Sequence, residues 1–126
     1  MNTTFFANKD GYSQHNLNPI ANSQKWCFNG QGDFIIQEVP NNSKIQIELS
    51  QLIIYHNMRG VGVGTTIMRD IIEWADLMGY ELKVYAEAFN NPTLTTTKLI
   101  KWYKQFGFKN VTGKKQTLIR PLTKNK

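Results

Sequence analysis

The middle of the chain alternates apolar and polar side chains with the period of a β-strand. In IQIELSQLIIY (residues 45–55), Ile45, Ile47 and Leu49 alternate with polar residues, and the run turns continuously apolar near Leu52. Alternation of period 2 indicates a half-buried strand, whereas a continuous apolar run indicates burial on both faces. We therefore predict a strand that is half-buried at its start and buried on both faces at its end.

Helical periodicity follows at two places further along the chain. In residues 65–79 apolar side chains recur every three or four positions, and Gly79 stands where the end of a helix favours glycine. In residues 95–107 an apolar and aromatic face repeats at the same spacing, a threonine near the start can cap the helix, and Gly107 ends it. The pattern therefore predicts two helices.

Further strands are predicted around these helices, at residues 25–30, 33–39, 80–88, 108–111 and 116–122, with GQG as the hairpin connection between the first two. The predicted order is β-β-β-loop-α-β-α-β-β, which indicates a mixed α/β or α+β domain on one central sheet. We treat residues 1–126 as one domain, in which the polar residues 1–23 are irregular or contain a short helix.

Composition narrows the class of protein. The chain has 126 residues with one cysteine, Cys27, and two histidines, which excludes a disulfide framework and disfavours a cysteine or histidine metal cluster. The longest apolar run is far too short to span a membrane, and the N-terminus lacks the pattern of a signal peptide. We expect a cytoplasmic protein that holds no metal.

Charge is distributed unevenly along the chain. Residues 1–87 carry six Lys or Arg and nine Asp or Glu, whereas residues 88–126 carry nine Lys or Arg and no acidic residue. This basic third is compatible with nucleic acid, an acidic protein, a phosphorylated small molecule or a solvated face that maintains solubility. Few aromatic residues are interleaved with these cations, which makes nucleic acid the weaker alternative.

Three glycines in five residues lie between the best strand and the first predicted helix. In HNMRGVGVGTT, Gly60, Gly62 and Gly64 follow Arg59. Glycine is costly to order, so this spacing indicates a backbone that approaches a ligand closely. A helix N-terminus directs unpaired N–H groups at such a ligand and Arg59 adds a positive charge, so an anion site that suits a pyrophosphate is predicted. Neither the P-loop nor the dinucleotide fingerprint fits these glycines.

This loop resembles a motif of the GNAT superfamily of N-acetyltransferases. Residues 59–64 (RGVGVG) fit its Q/R-x-x-G-x-G/A loop, and residues 99–108 (LIKWYKQFGF) resemble its FYEKxGF segment. Residues 117–122 (TLIRPL) resemble the terminal strand of short phage-like or mobile-element-like members. The resemblance spans about residues 33–122. It implies a central mixed, mainly antiparallel sheet flanked by helices, a splayed strand pair for acetyl-CoA, and a reduced N-terminal helical region.

The resemblance also implies roles for individual residues. Tyr103 stands where the family's acid tyrosine stands and would protonate the leaving sulfur, the alternative being a core residue in the aromatic face of its helix. Glu48, opposite in phase to the apolar side chains of its strand, is the candidate general base, and Glu87 is the second candidate. Lys98 or Lys101 would lie near a phosphate of CoA. The implied cofactor-binding residues are Leu52, Ile53, Ile54, Arg59, Gly60, Val61, Gly62, Val63, Gly64 and Thr65.

We therefore expect an N-acetyltransferase that uses acetyl-CoA as co-substrate and moves the acetyl group directly to a primary amine. The acceptor is a protein or a small molecule, and the reduced N-terminal region, which leaves the acceptor side rebuilt or open, favours a protein. The competing hypothesis is a non-catalytic GNAT-fold module that binds CoA, protein or nucleic acid through its basic third. A homodimer, and a host cytoplasm for a phage-encoded protein, are compatible with the resemblance.

Overall fold

The computed structural model describes residues 2–15, 23–41, 44–54, 62–87 and 95–121. These residues form three helices and seven strands, which confirms the predicted mixed α+β class. In chain order the elements are α1 Thr4–Ala7, β1 Tyr12–His15, β2 Ser23–Phe28, β3 Gly32–Asn41, β4 Lys44–Ile54, α2 Val63–Met78, β5 Glu81–Tyr85, α3 Thr96–Lys104, β6 Lys109–Asn110 and β7 Thr117–Arg120.

All seven strands form one sheet in the order β1-β2-β3-β4-β5-β7-β6. Only the β4–β5 pair is parallel, so the predicted mixed, mainly antiparallel sheet is confirmed. A parallel pair needs a crossover connection, and α2 lies between the two strands. The buried amide Nε2 of Gln46 donates a 2.8 Å hydrogen bond to Glu81 Oε1, which holds the two strands together where their pairing begins.

Local signals position both long helices. The left-handed Gly79 (φ +76°) ends α2, and the N–H of Tyr80 bonds to the Ala75 carbonyl at 2.8 Å, as expected for a helix C-terminus of this type. The Thr95 hydroxyl caps α3 by accepting from the N–H of Lys98 at 3.2 Å. The glycine end of α2 and the threonine cap of α3 are therefore confirmed, whereas α2 begins two residues earlier than predicted and α3 ends at Lys104, three residues before Gly107.

The β2–β3 hairpin turns on a different pair of residues from the one predicted. Asn29 and Gly30 adopt positive φ values of 49° and 67°, and the N–H of Gln31 bonds to the Phe28 carbonyl at 2.8 Å. Two consecutive left-handed residues make a type I′ turn, whose twist matches the flanking strands and which favours Asn-Gly. The hairpin is confirmed, but its turn lies one residue before GQG.

The N-terminal segment is built into the core, and β1 was not predicted from the sequence. Phe6 is fully buried, and its ring lies 5.2 Å from that of Phe34 and 5.3 Å from that of Trp74. The indole of Trp74 donates to the Asn2 carbonyl at 2.7 Å. Tyr12 donates to Asp70 at 2.6 Å, and its burial, together with that bond, raises the pKa of the Tyr12 phenol. Of residues 1–23, those that the structure describes are therefore packed, and α1 matches the short helix that the sequence left open.

The three helices share one face of the sheet. Buried side chains of α1, α2 and α3 join inward residues of the strands in one apolar cluster, among them Phe6, Ile71 and Tyr103. Because strand side chains alternate, the remaining strand positions lie on the other face, on which none of the described helices packs. We call it the helix-free face; its residues include Lys25, Asp33, Ile35, Glu48, Ile53, Lys83 and Tyr85.

Arg120 joins three elements on the helix face. Its guanidinium makes a forked contact with Asp76 of α2, at 2.6 and 3.2 Å, and its Nε donates to the Phe106 carbonyl at 3.0 Å. Paired, partly buried groups of this kind are costly to leave without a partner. Arg120 therefore fixes the end of α3 relative to α2 and β7.

Replacing Arg120 with lysine is expected to lower the free energy of unfolding by about 1–2 kcal/mol, because an ammonium cannot bond both carboxylate oxygens and the carbonyl at once. Urea denaturation followed by circular dichroism measures the change. Lys109→Gln removes an exposed cation from the neighbouring strand and should alter the free energy by less than about 0.5 kcal/mol. Equal urea midpoints for Arg120→Lys and the wild type would show that the forked contact does not stabilise the fold.

Candidate active site

A bulge in β4 shapes the site. The β3–β4 register shifts between Ile35 and Ile36, which pair with Gln51 and Leu49, so Ser50 is an extra residue in β4. A bulge bends its strand and shifts the alternation of side chains by one position. Leu52 and Ile54 therefore follow Leu49 onto the helix face, where both pack against the core.

The end of β4 is not buried on both faces, contrary to the sequence prediction. Ile53 lies on the helix-free face with 38% of its surface exposed. The continuous apolar run at Leu52 to Ile54 reflects the phase change at the bulge, not double burial. Where the alternation of apolar and polar residues shifts by one position, apolar residues become neighbours in the sequence. Such a run looks the same as that of a central strand buried on both faces.

The β4–β5 pair opens immediately after Leu49. The parallel ladder ends at Leu49 and Val84, whereas β4 continues to Ile54 and stays paired with β3. Beyond Leu49 and Val84 the parallel pairing of β4 with β5 has therefore ended. This opening, which we call the β4–β5 gap, confirms the predicted splayed strand pair.

The N-terminus of α2 is suited to an anion. Gly62 precedes the helix with φ +84°, a left-handed conformation that favours glycine. None of the described side chains caps the helix start and its first turn holds no acidic residue, so a ligand can reach the N–H groups and the positive end of the dipole without competition from these residues. A Cβ placed on Gly62 would meet no atom of the described residues within 4 Å.

Three of the predicted site segments meet at Gly64. A Cβ at Gly64 would lie 3.5 Å from Ile54 Cγ1 at the end of β4 and 3.6 Å from Trp102 Cζ2 of α3. The start of α2, the splayed end of β4 and the aromatic face of α3 are therefore neighbours. This brings Leu52–Ile54 and Gly62–Thr65 together at one end of the sheet, as the resemblance implies.

Part of the predicted glycine loop lies outside the described residues. Arg59, Gly60 and Val61 are in residues 55–61, so their roles stay predictions from the sequence.

Tyr103 lies on the buried side of α3. Only 6% of its surface is exposed, and its ring is 5.2 Å from that of Trp102 and 5.5 Å from that of Phe108. Burial raises the pKa of the Tyr103 phenol to about 12, so the phenol keeps its proton throughout the physiological range. The geometry is compatible with a proton donor and with a core residue.

The two candidate bases lie away from Tyr103. Glu48 is half-buried on the helix-free face, where Lys83 is its partner in the parallel ladder and Gln37 its partner in β3. Glu87 is exposed just beyond the end of β5. Glu48 and Tyr103 are therefore on opposite faces of the sheet, and β4 and β5, which border the gap, lie between these two side chains.

A sequence profile of the acetyltransferase (GNAT) family matches residues 28–108, well over half of the chain. This chain belongs to the GNAT family. The match covers β3 to α3, and so includes the β4–β5 gap, the start of α2 and Tyr103. A search of curated protein sequences finds no significant match.

Solved GNAT structures share this fold at low sequence identity. A GNAT family acetyltransferase of Elizabethkingia anophelis, solved with acetyl-CoA bound, has a TM-score of 0.55 and 15% identity over 80% of this chain and 78% of its own. The anti-CRISPR protein AcrVA5 has a TM-score of 0.54 and 13% identity, over 86% and 97% of the two chains. An Arabidopsis thaliana protein solved with the bisubstrate analogue CoA-Ac-MVNAL has a TM-score of 0.52 and 16% identity, over 77% and 68%.

Two features of this GNAT chain were not found from the sequence. The bulge at Ser50 was missed because only the pairing partner reveals it, and the sole local signal is the change of phase in the apolar pattern. The contact between Arg120 and Asp76 was not predicted, because the two residues are 44 positions apart in the sequence.

Metal and membrane features can be stated for the described part of this GNAT chain. Its His, Cys, Asp and Glu side chains form no group of three or more that could hold a metal ion. None of its helices is both long and apolar enough to cross a membrane.

Proposed function

We propose that this GNAT protein is an N-acetyltransferase that moves the acetyl group of acetyl-CoA directly to a primary amine, and that the acceptor is a protein. One observation carries the proposal: the β4–β5 gap opens beside an uncapped helix start at Gly62. An anionic thioester needs both, a positive site for its phosphates and a slot for its extended arm.

The described residues fit acetyl-CoA. The N–H groups of Val63, Gly64 and Thr65 open α2 and would hold the pyrophosphate, since none of the described side chains caps them and the first turn holds no acidic residue. The pantetheine arm contains amides, which match the backbone groups of the Leu52–Ile54 segment along the β4–β5 gap. Residues Arg59–Val61 complete the site in our proposal on the strength of the family motif.

The reaction needs one proton removed and one supplied. As the C–N bond forms and the C–S bond breaks, the attacking ammonium must have lost a proton and the departing sulfur must gain one. We assign the removal to Glu48, directly or through a water, and the supply to Tyr103. A phenol with a pKa near 12 is protonated at neutral pH, so it can donate.

The placement of these two side chains on opposite faces supports the assignment. An amine that attacks a carbonyl in the gap approaches from one side, and the thiol leaves toward the other. Glu48 lies on the helix-free face and Tyr103 on the helix face, so each is on the side where its proton is exchanged. Glu87, exposed just beyond the end of β5, is the alternative base.

The helix-free face supports a protein acceptor. None of the described helices packs on this face, where Glu48 is half-buried and Ile53 and Tyr85 are exposed. The Arabidopsis structure, whose bound analogue joins CoA through an acetyl group to the peptide MVNAL, shows that a chain of this fold accommodates a peptide beside CoA.

Incubation with isotope-labelled acetyl-CoA and a peptide pool with free amines tests the proposal. We expect labelled acetyl groups on peptide amines, read by mass spectrometry, together with free CoA thiol in equal amount. Unlabelled CoA in place of acetyl-CoA is the control and should give no product. Calorimetric binding of acetyl-CoA without any labelled product would instead identify a non-catalytic module.

A further inference from the structure

The β6–β7 turn (residues 111–116), together with α3 and β6, carries lysines that make no ion pair in the described part of the chain. In α3 and the residues after it, five lysines are exposed and form no ion pair within the described part of the chain. By contrast, Arg120 in the same region is engaged by Asp76 and by the Phe106 carbonyl. The five are Lys101, Lys104, Lys109, Lys114 and Lys115.

Hydrogen bonds place this turn beside the β4–β5 gap. Gln116 accepts from the Ala86 N–H at 2.8 Å through its backbone carbonyl, and its side-chain amide donates to the Ala86 carbonyl at 3.0 Å. The Tyr85 hydroxyl donates to Gln116 Oε1 at 3.2 Å. Tyr85 and Ala86 directly follow Val84, the last residue of β5 that pairs with β4. Only the end of β5 therefore separates the turn from the gap.

The turn itself is held in shape. The Asn110 amide donates to the carbonyls of Lys114 and Lys115, at 3.5 and 2.9 Å, and the Lys114 N–H bonds to the Val111 carbonyl at 2.9 Å. Residues 110–115 line a shallow depression of about 460 Å³. Lys114 and Lys115 are thus carried by an ordered backbone at the rim of the proposed site.

We propose that the β6–β7 turn, through Lys114 and Lys115, selects protein acceptors with acidic residues close to the reacting amine. The inference rests on the proposed acetyl transfer. Neighbouring strands are about 4.8 Å apart and an extended peptide advances about 3.4 Å per residue. A peptide with its amine in the gap therefore brings its next two to four residues, roughly, within reach of the lysines.

The chemistry of the patch favours carboxylates over nucleic acid. Nucleic-acid surfaces combine cations with aromatic platforms and forked arginine contacts. Here Arg120 is already engaged, and Trp102, Tyr103 and Phe106 pack against the core. The exposed ring beside the turn is Tyr85, at 56% exposure, which suits an anchor for a peptide side chain.

The test compares two peptides that differ only in charge, with three glutamates or three glutamines at positions two to four from the reacting amine. For the wild type we expect kcat/KM about tenfold higher with the glutamate peptide at low ionic strength, and a smaller ratio at high salt. In Lys114→Gln/Lys115→Gln the ratio should fall to about one. The control Lys9→Gln/Lys104→Gln removes the same charge elsewhere and should keep the wild-type ratio.

Binding of fluorescent peptides, measured by anisotropy without turnover, separates this proposal from the proposed function. Acetylation of both peptides at equal rates would overturn the acidic selectivity while leaving the transferase intact. Tighter binding of the glutamate peptide that depends on Lys114 and Lys115, without acetylation, would support docking and contradict the transferase. A labelled single-stranded RNA is compared in the same assay. If it binds more tightly than the glutamate peptide, and Lys114→Gln/Lys115→Gln abolishes that binding, the proposal is overturned in favour of nucleic acid.

Discussion

Replacing Gly62 with aspartate is expected to weaken acetyl-CoA binding about 100-fold relative to replacing it with asparagine. The two side chains have the same shape, both tolerate the left-handed backbone at φ +84° and both are good helix N-caps. They differ by one negative charge in front of the helix start. At about 5 Å from a phosphate and an effective dielectric constant of about 20, that charge costs about 3 kcal/mol.

Isothermal titration calorimetry measures both dissociation constants, and thermal unfolding checks that both variants fold alike. Asparagine alone is expected to weaken binding modestly, since its side chain competes with the ligand for the first N–H groups of α2. Raising the salt concentration should narrow the difference between the two variants, because the repulsion is screened. If aspartate and asparagine bind acetyl-CoA equally well, the pyrophosphate does not lie at Gly62.

The two long helices, the end of α2 and the cap of α3 were predicted well because their signals are local. Gly79 ends α2 and Thr95 caps α3, and each acts on backbone groups within five residues of itself. The apolar faces of both helices are recognised from apolar residues that recur every three or four positions. Such features depend little on the rest of the fold, so the sequence alone indicates them.

The geometry around the β4–β5 gap depends on distant partners and was harder to predict. Ser50 forms a bulge only because β3 pairs on both sides of it, and the Leu52–Ile54 run was therefore interpreted as doubly buried. β1 was missed because it lies at the edge of the sheet with a single half-buried residue, Tyr12. Phe6 became the centre of an aromatic cluster through contacts with β2, β3 and α2, which no local pattern shows.

No sequence pattern indicated that the described helices would all pack on one face of the sheet. We propose that the acceptor approaches the other face. The sequence indicated a reduced N-terminal region without indicating where that region packs. Phe6 and Tyr12 contact α2, so the described part of the N-terminal segment packs on the helix face.

Replacing Tyr103 with phenylalanine is expected to lower kcat about 100-fold while changing the acetyl-CoA dissociation constant less than about twofold. In our proposal the phenol supplies a proton to the departing sulfur, which phenylalanine cannot do. Since burial raises the pKa of Tyr103 to about 12, the neutral donor form persists as pH rises, and is lost only as pH passes that value. The wild-type rate should therefore show no alkaline decline due to Tyr103 below about pH 11.

Tyr80→Phe is the matched control, because it also removes a buried phenol. Tyr80 precedes β5 at the end away from the gap, and its hydroxyl accepts from the Asn2 N–H at 3.1 Å. The substitution should cost about 1 kcal/mol of stability and leave kcat nearly unchanged. Steady-state kinetics with a saturating peptide acceptor, alongside thermal unfolding of both variants, separates chemistry from packing. Equal effects of the two substitutions on kcat would make Tyr103 a core residue of α3, and the proton for the sulfur would then have to come from another group.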